Sequence, residues 1–360
     1  MTGWRYLVFS EPDRTYLGEV HLADVSLTRT LSGPGELSAI LEPGQDASFL
    51  SPWHVSIWAE DESGRIRGGG FLVPGDISTD GPMLECVGFS GYPQGMPWVA
   101  AQQKFVQADP LNIVRAMWSH LQSQAGGAIG VTVDSTTSPV RIGTPAEDVS
   151  FTTGGGETVE FEAGPYSLDW WSSHDLGKLI DDLAVETPFD YLEHTVWGGD
   201  TLAHRLELGY PSIGVRRRNI RFELGVNVAQ VPSLMADEDS YATEVHALGA
   251  GEAQAMVHTR LTRDSSGVRR VVTYVDKSAR SKDSLSRTAR LDLAWRDGAP
   301  TLEHLRVIEH SSAPLSSFDV GDVVHVTGGS EWADIDRWVR IVSRTDQPGS
   351  AVADLTVQEV

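Results

Sequence analysis

Between Tyr16 and Val99 short apolar runs alternate with polar residues and are broken every few positions by glycine or proline. Val55-Ser56-Ile57-Trp58, Gly69-Gly70-Phe71-Leu72-Val73-Pro74 and Met83-Leu84-Glu85-Cys86-Val87-Gly88-Phe89 are of this kind. Turn signals separate them, at Ser32-Gly33-Pro34-Gly35 and at Glu62-Ser63-Gly64. Strands of this length and spacing predict an antiparallel sandwich or small barrel, and no 3.6-residue period runs through the stretch. The period changes at Asp109-Pro110, where a carboxylate cap is followed by proline at the first helical position. Leu111, Val114, Met117, Trp118 and Leu121 then share one helical face, which Gly126-Gly127 ends. A second helix is predicted from near Ser173, with Leu176, Ile180 and Leu183 on one side. It closes at Thr187-Pro188, because the residue before proline resists the helical region. Between the helices runs a strand-and-loop stretch from Ile129 to Tyr166, with Gly154-Gly155-Gly156 as its flexible tip.

The β texture resumes over Leu202–Leu208, and Ile220–Leu224 and Glu244–Leu248 alternate cleanly. A third helix is predicted from about Ser281 to Trp295, with Leu285, Ala289 and Leu293 one turn apart. Four strands close the chain, over Leu302–His310, Val320–Val326, Trp338–Val342 and Asp354–Val360. The expected fold is mainly β, with two small β-barrel domains flanking an α+β insertion. Its boundaries are 1–99 for the first barrel, 100–200 for the insertion and 201–360 for the second barrel. Residues 201–235 are a candidate to complete the first. No low-complexity tract or short repeat interrupts this order.

A chain of 360 residues has room for two or three domains and a real core. Its one cysteine, Cys86, excludes an intrachain disulfide and reads as a small buried hydrophobe. No signal peptide is legible at the N-terminus, and no run of about 18 apolar residues offers a membrane span. Synthesis in a cytoplasm without oxidative maturation fits. Charge is the strongest compositional feature: 28 Lys and Arg stand against 50 Asp and Glu, a net of −22. Residues 1–200 carry 9 and 28 of these, a net of −19, and residues 201–360 carry 19 and 22, a net of −3. Such a chain is poorly suited to grip nucleic acid, whose affinity comes largely from neutralised phosphates. An acidic wall would instead let DNA pass without sticking, and the plainer role of the charge is solubility.

Motifs that carry chemistry are few and weak. Gly249-Ala250-Gly251-Glu252-Ala253-Gln254 lacks the third glycine and βαβ setting of a dinucleotide loop, and reads as a turn. Gly88-Phe89-Ser90-Gly91 lacks the spacing of a nucleophile elbow. The eleven histidines are scattered, with His304 and His310 six apart and no HExxH. Asp181-Asp182 with Glu186, and Glu160 with Glu162, are carboxylate sets of the kind glycoside hydrolysis uses, but solvated faces explain them in so acidic a chain. Asp61-Glu62 lacks calcium-loop spacing. Arg216-Arg217-Arg218 with Arg221 is the densest basic cluster, suited to pairing with a neighbouring subunit's carboxylates. Trp170-Trp171 with Tyr166 is read as core or interface anchors rather than a sugar platform. No catalytic, cofactor-binding or metal-ligating residue is assigned, and the chain is expected not to be an enzyme.

A run of short phrases in order goes further. It comprises Leu17-Gly18-Glu19, Ser26-Leu27-Thr28-Arg29, Gly35-Glu36-Leu37-Ser38 and Gly68-Gly69-Gly70, then Val87-Gly88-Phe89-Ser90-Gly91-Tyr92. Asp109–Arg115, Trp118–Gln122, Thr187-Pro188-Phe189-Asp190-Tyr191, Leu248–Glu252 and Val320-Gly321-Asp322-Val323 continue it. The set resembles the minor tail proteins that form the tail-tip (baseplate) hub of long-tailed actinobacteriophages. Phe71 after the glycines is a mild variation, and many such proteins continue into fibre-like or wall-degrading modules where this sequence stops at Val360. The resemblance implies two pseudo-symmetric barrels per chain, so that a homotrimer meets a sixfold tail ring. It implies a virion protein at the tail tip that closes the tube, anchors the central fibre or spike protein and opens for DNA. Its implied partners are further copies of itself, the distal tail ring protein, the fibre or spike protein, the tape measure protein and phage DNA in transit without specific binding. No cofactor and no membrane insertion are implied. A hexameric distal tail ring protein is one alternative, and a carbohydrate-binding or glycan-cleaving tail protein another. Trp53, Trp58, Trp98 and Trp170 are the candidate interface aromatics, each equally suited to a core.

Overall fold

The computed structural model describes residues 3–360 except 76, 79–80, 146, 153–157, 173, 230–233, 236–240, 252–255, 265–266, 277–278, 280–281, 297, 299–300 and 330–333. The chain opens with β1 (Arg5–Ser10), β2 (Tyr16–Val20), β3 (Leu22–Thr30), β4 (Glu36–Leu41) and β5 (Val55–Glu60). Next come β6 (Ile66–Val73), the two-residue β7 (Ile77–Ser78) and β8 (Gly81–Val87). A mixed stretch follows with β9 (Gln103–Phe105), α1 (Pro110–Ser123), β10 (Val131–Val133), β11 (Glu147–Thr152), β12 (Thr158–Ala163), β13 (Tyr166–Leu168) and α2 (Leu176–Glu186). Strands β14 (Asp190–Trp197), β15 (Leu202–Gly209), β16 (Arg216–Glu223) and β17 (Leu234–Met235) lead to β18 (Glu244–Leu248), β19 (His258–Thr262) and β20 (Val271–Val275). Helix α3 (Lys282–Trp295), β21 (Thr301–Leu302), β22 (His304–Ile308), β23 (Val323–Gly329), β24 (Asp334–Asp346) and β25 (Val352–Glu359) finish the chain. The Gly154-Gly155-Gly156 tip lies outside the described residues.

These elements form two compact units. The larger holds residues 1–142, 167–232 and 303–360, the smaller 143–166 and 233–302. Each is therefore assembled from separated pieces of chain.

In the larger unit the main sheet runs β16-β23-β24-β3-β4-β8-β6-β5-β1-β2, with β25 and β22 branching from β24. Every pairing in this path is antiparallel except β16 with β23. Val8, Val20, Leu27, Leu37, Ile57, Leu72 and Cys86, one from each of the seven neighbouring strands β3 to β2 at one end of this path, meet in one buried cluster. Seven neighbouring strands that supply one core have to curl around it. It does not close: among the described residues no sheet forms a closed barrel, so the expected pair of closed barrels is corrected to one open, curled sheet. Strand β24, thirteen residues long, pairs β23 over Asp334–Arg340 and β3 over Ser343–Asp346 along one edge, and pairs β25 along the other, where the register shifts between Ile341 and Ser343. It thereby ties β3, from the start of the chain, to β23 and β25, from its end, and the bulge against β25 bends it on the way.

The mixed part of this unit is a small sheet, β10-β15-β14, with α1 and α2. Asp109 caps α1 by accepting the Leu111 N–H at 3.0 Å, and also holds Ser138. Leu111, Val114, Met117, Trp118 and Leu121 are buried, as their spacing requires. Helix α2 begins at Leu176, three residues later than the spacing suggested, because Asp175 supplies the cap to Lys178 N–H. The smaller unit contains the sheet β19-β18-β20 and the hairpin β11–β12. Leu285, Ala289 and Leu293 of α3 share a core with Val245, Ala247 and Val257.

Candidate functional site

The polar centre of the larger unit is Glu193, a residue of β14 that the sequence reading did not single out. Its Oε1 accepts the Gly35 N–H at 2.7 Å and its Oε2 the Ser90 N–H at 2.8 Å. A Cβ at Gly88 would lie 1.8 Å from Oε1, so only glycine leaves room for this carboxylate. Gly88 N–H in turn donates to Gly35 O at 2.7 Å, and Ser32 and Tyr191 exchange hydrogen bonds nearby. Burial pushes the Glu193 carboxyl above the usual range, against the lowering effect of the two N–H donors. Two of the phrases that carry the resemblance, Gly35-Glu36-Leu37 and Gly88-Phe89-Ser90, thus meet on one side chain 100 residues or more away in sequence.

A second junction lies around Asp190 at the start of β14. Asp190 Oδ2 accepts the Ile213 N–H at 2.7 Å and an ion pair from Arg340, which also donates to Ile213 O at 2.8 Å. Asp322 accepts Val215 N–H at 2.9 Å and Arg217 Nε at 2.8 Å. The phrases Asp190-Tyr191 and Gly321-Asp322 are therefore bracing positions where a carboxylate satisfies backbone donors. A third polar group is nearly sealed in apolar surroundings. His204 lies between Trp58 and Phe89, its ring tilted against each with centroids 5.2 and 5.1 Å away, and meets Thr195 Oγ1 at 2.9 Å. Burial lowers its pKa to about 4.

The residues marked by sequence are dispersed. Cys86 is buried, and burial raises its thiol pKa. Ser90 lies in a short turn where its N–H serves Glu193. Gly249 and Ala250 form a turn closed by bonds to Val257 and Ala279, while 252–255 lie outside the described residues. Asp61 caps its own turn through Ser63 and Arg65 N–H. Asp181 accepts the Tyr191 hydroxyl at 2.6 Å, and Asp182 and Glu186 are exposed. The side chains of Glu160 and Glu162 lie outside those described. His304 is exposed on β22, and His310 bonds Ser312 at 2.8 Å. In the arginine cluster Arg217 pairs within the chain with Asp322, and Arg216 lies 3.8 Å over the Trp338 ring. Trp58 and Trp98 are core, Trp98 stacking on His120 at 4.1 Å. Trp53, Trp170 and Trp171 are exposed, and the last two stand edge-on at 88°, so Trp170-Trp171 is not core. Among the described residues no three His, Cys, Asp or Glu are grouped to hold a metal ion. No helix among them is long and apolar enough to cross a membrane.

No protein-family model matches the chain, and no curated protein matches it by sequence. Solved structures do. The 43 kDa tail protein of prophage MuSo2 from Shewanella oneidensis aligns with a TM-score of 0.61 at 11% identity, covering 98% of both chains. A tail protein from Neisseria meningitidis MC58 aligns at 0.56 and 14% identity, covering 99% of this chain and 97% of that one. The prophage tail protein gp18 from Listeria monocytogenes EGD-e aligns at 0.51 and 12% identity over 98% and 94%. The class defined by the architecture follows: this chain has the mainly β fold of phage and prophage tail proteins, along its whole length.

Proposed function

We propose that the chain is a structural, non-enzymatic subunit of a phage tail-tip hub, made in the host bacterial cytoplasm and carried in the virion. In this reading a homotrimer closes the tail tube and anchors the central fibre or spike protein. It adjoins the distal tail ring protein and the tape measure protein, and lets DNA pass without specific binding. The observation that carries the reading is the end-to-end match of fold with the MuSo2 tail protein, 98% of each chain. Two features support it. The buried carboxylates Glu193, Asp190 and Asp322 each brace backbone, which is what a load-transmitting shell requires. The net charge of −22 suits a passage that must not retain DNA.

The test is a reconstruction of the intact tail tip without imposed symmetry. Three copies around the axis are expected. Six copies would move the protein to the distal ring, and its absence from the particle would overturn the reading. An obligate ring of this kind should bury about 2,000 Å² or more per interface. A second reading, a carbohydrate-binding tail protein, is favoured by the exposed Trp170 and Trp171. It predicts retention on host-wall polysaccharide that Trp170→Ala with Trp171→Ala abolishes. No retention and no release of reducing sugar would retire it.

A further inference from the structure

Two adjoining clefts in the larger unit share a wall of arginine. One, of about 170 Å³, is bordered by Arg29, Arg65 and Arg67 together with Trp58 and Glu193. The other, of about 560 Å³, is bordered by the same three arginines and by Arg217 and Arg344. Four strands and a turn deliver them: Arg29 from β3, Arg65 and Arg67 from the β5–β6 turn and the start of β6, Arg217 from β16 and Arg344 from β24. Residues 1–200 contain only nine Lys and Arg in all, and three of them meet here.

These arginines are not equally committed. Arg29 pairs with Asp319, Arg217 with Asp322 at 2.8 Å, and Arg344 with Asp346 at 2.8 Å while also donating to Leu315 O and Phe318 O. Arg67 has only Asp61, at 3.9 Å, and Arg65 forms no side-chain ion pair among the described residues. Both are exposed at the mouths of the clefts. Arg65 and Arg67 flank Ile66 where the β5–β6 register shifts, and both border each cleft. Two planar guanidinium forks at a concave surface suit carboxylates, which they can hold bidentately.

We infer that this cleft is the seat for an acidic surface segment of a second copy of this chain. Charge complementarity carries the choice of occupant: Asp319, Asp322 and Asp346 already answer Arg29, Arg217 and Arg344, which leaves Arg65 and Arg67 as the cations open to a partner, and each copy, with 50 acidic against 28 basic residues, has carboxylates in excess to meet them. A contact between a cleft on one copy and a different surface on the next is heterologous, and repeated it closes a ring. The inference rests on the ring-forming role proposed above and adds the face through which copies meet.

The experiment is sedimentation of the purified full chain over a range of concentration and salt, for the wild type, Arg65→Glu with Arg67→Glu, and Arg65→Lys with Arg67→Lys. Both positions are exposed, and circular dichroism checks that each variant is folded. The wild type is expected to associate, less so at high salt. The glutamate pair should weaken association about tenfold or more, and the lysine pair, which keeps the charge, should retain most of it. Equal association of wild type and glutamate pair would overturn the inference and leave the ring reading standing. A wild type that stays monomeric throughout would overturn the inference, while the copy number in the tail tip still decides the ring. A glutamate pair that loses only retention on double-stranded DNA would also overturn it, marking the wall as a phosphate contact.

Discussion

Gly88→Ala is the sharpest test of how the larger unit is held together. Gly88 has φ −58° and ψ 158°, a conformation any residue adopts, so alanine brings no backbone strain. The whole effect falls on Glu193, whose Oε1, Cδ and Oε2 would lie 1.8, 2.5 and 2.6 Å from the new methyl group. The carboxylate has to leave, and the bonds from Gly35 N–H and Ser90 N–H go with it. Hydrogen bonds to a charged group contribute about 1.5–3 kcal/mol each, so their sum is about 3–6 kcal/mol. Part of that is recovered, because burial already disfavours the charged form of Glu193 and the adjoining cleft admits water to the orphaned N–H groups. The expected loss is about 3 kcal/mol, read as a lower denaturant midpoint in the transition of the larger unit. Glu193→Ala combined with Gly88→Ala should cost less than the two single losses added, since the collision exists only when both groups are present. A Gly88→Ala loss within about 1 kcal/mol of zero, or strict additivity in the double variant, would refute the reasoning.

Glu11 and His204 predict opposite pH slopes that nearly cancel. Burial raises Glu11 to about 7 from 4.5, so its contribution is full below pH 4.5 and is lost as pH rises towards 7. Burial lowers His204 to about 4 from 6.5, so its contribution is full above pH 6.5 and is lost as pH falls towards 4. Each shift corresponds to about 3 kcal/mol. Glu11→Gln should therefore expose stability that climbs between pH 4 and 6.5, and His204→Gln one that declines between pH 4.5 and 7, in denaturant titrations at stepped pH; two variants with the same slope as wild type would contradict this. Cys86, being buried with a raised pKa, should react with a thiol reagent only at the rate of unfolding, so rapid labelling of the native protein would show that β8 is misplaced. Trp170→Ala with Trp171→Ala should leave the unfolding free energy from denaturant titration within about 0.5 kcal/mol of wild type, because both rings are exposed; a large loss would mean they are packed. If residues 1–200 line the passage of the assembled tail tip, its lumen should be strongly negative, and a neutral or basic lumen would remove the DNA-passage argument.

What local chemistry controls was legible. The two-residue alternation in Gly81–Val87 and Leu202–Gly209 marks strands, and Asp109-Pro110 marks a helix start, because pleat period and cap satisfaction involve only near neighbours. Leu285, Ala289 and Leu293 declared the buried face of α3 for the same reason. The glycine-bearing phrases were visible too, though not their purpose. Gly88 must be glycine because Glu193 fills the space beside it, and nothing within several residues of Gly88 says so.

What the sequence left open is every decision that joins distant pieces. Alternation states that a strand has two faces, and it is silent on which strand lies beside it. The barrels drawn from it therefore gave way to one open sheet, in which β24 pairs β23 with its first half and β3, more than 300 residues away in sequence, with its last four residues. Trp58 and Trp170 are equally apolar letters, yet one is 3% exposed against His204 and the other 64% exposed at the surface. Composition, periodicity and caps follow from the chain alone because their forces act over a few residues. The bracing carboxylate of Glu193, the arginine wall at Arg65 and Arg67, and the division into two units built from separated segments exist only once the chain has folded, because each is a relation between residues that the sequence holds far apart.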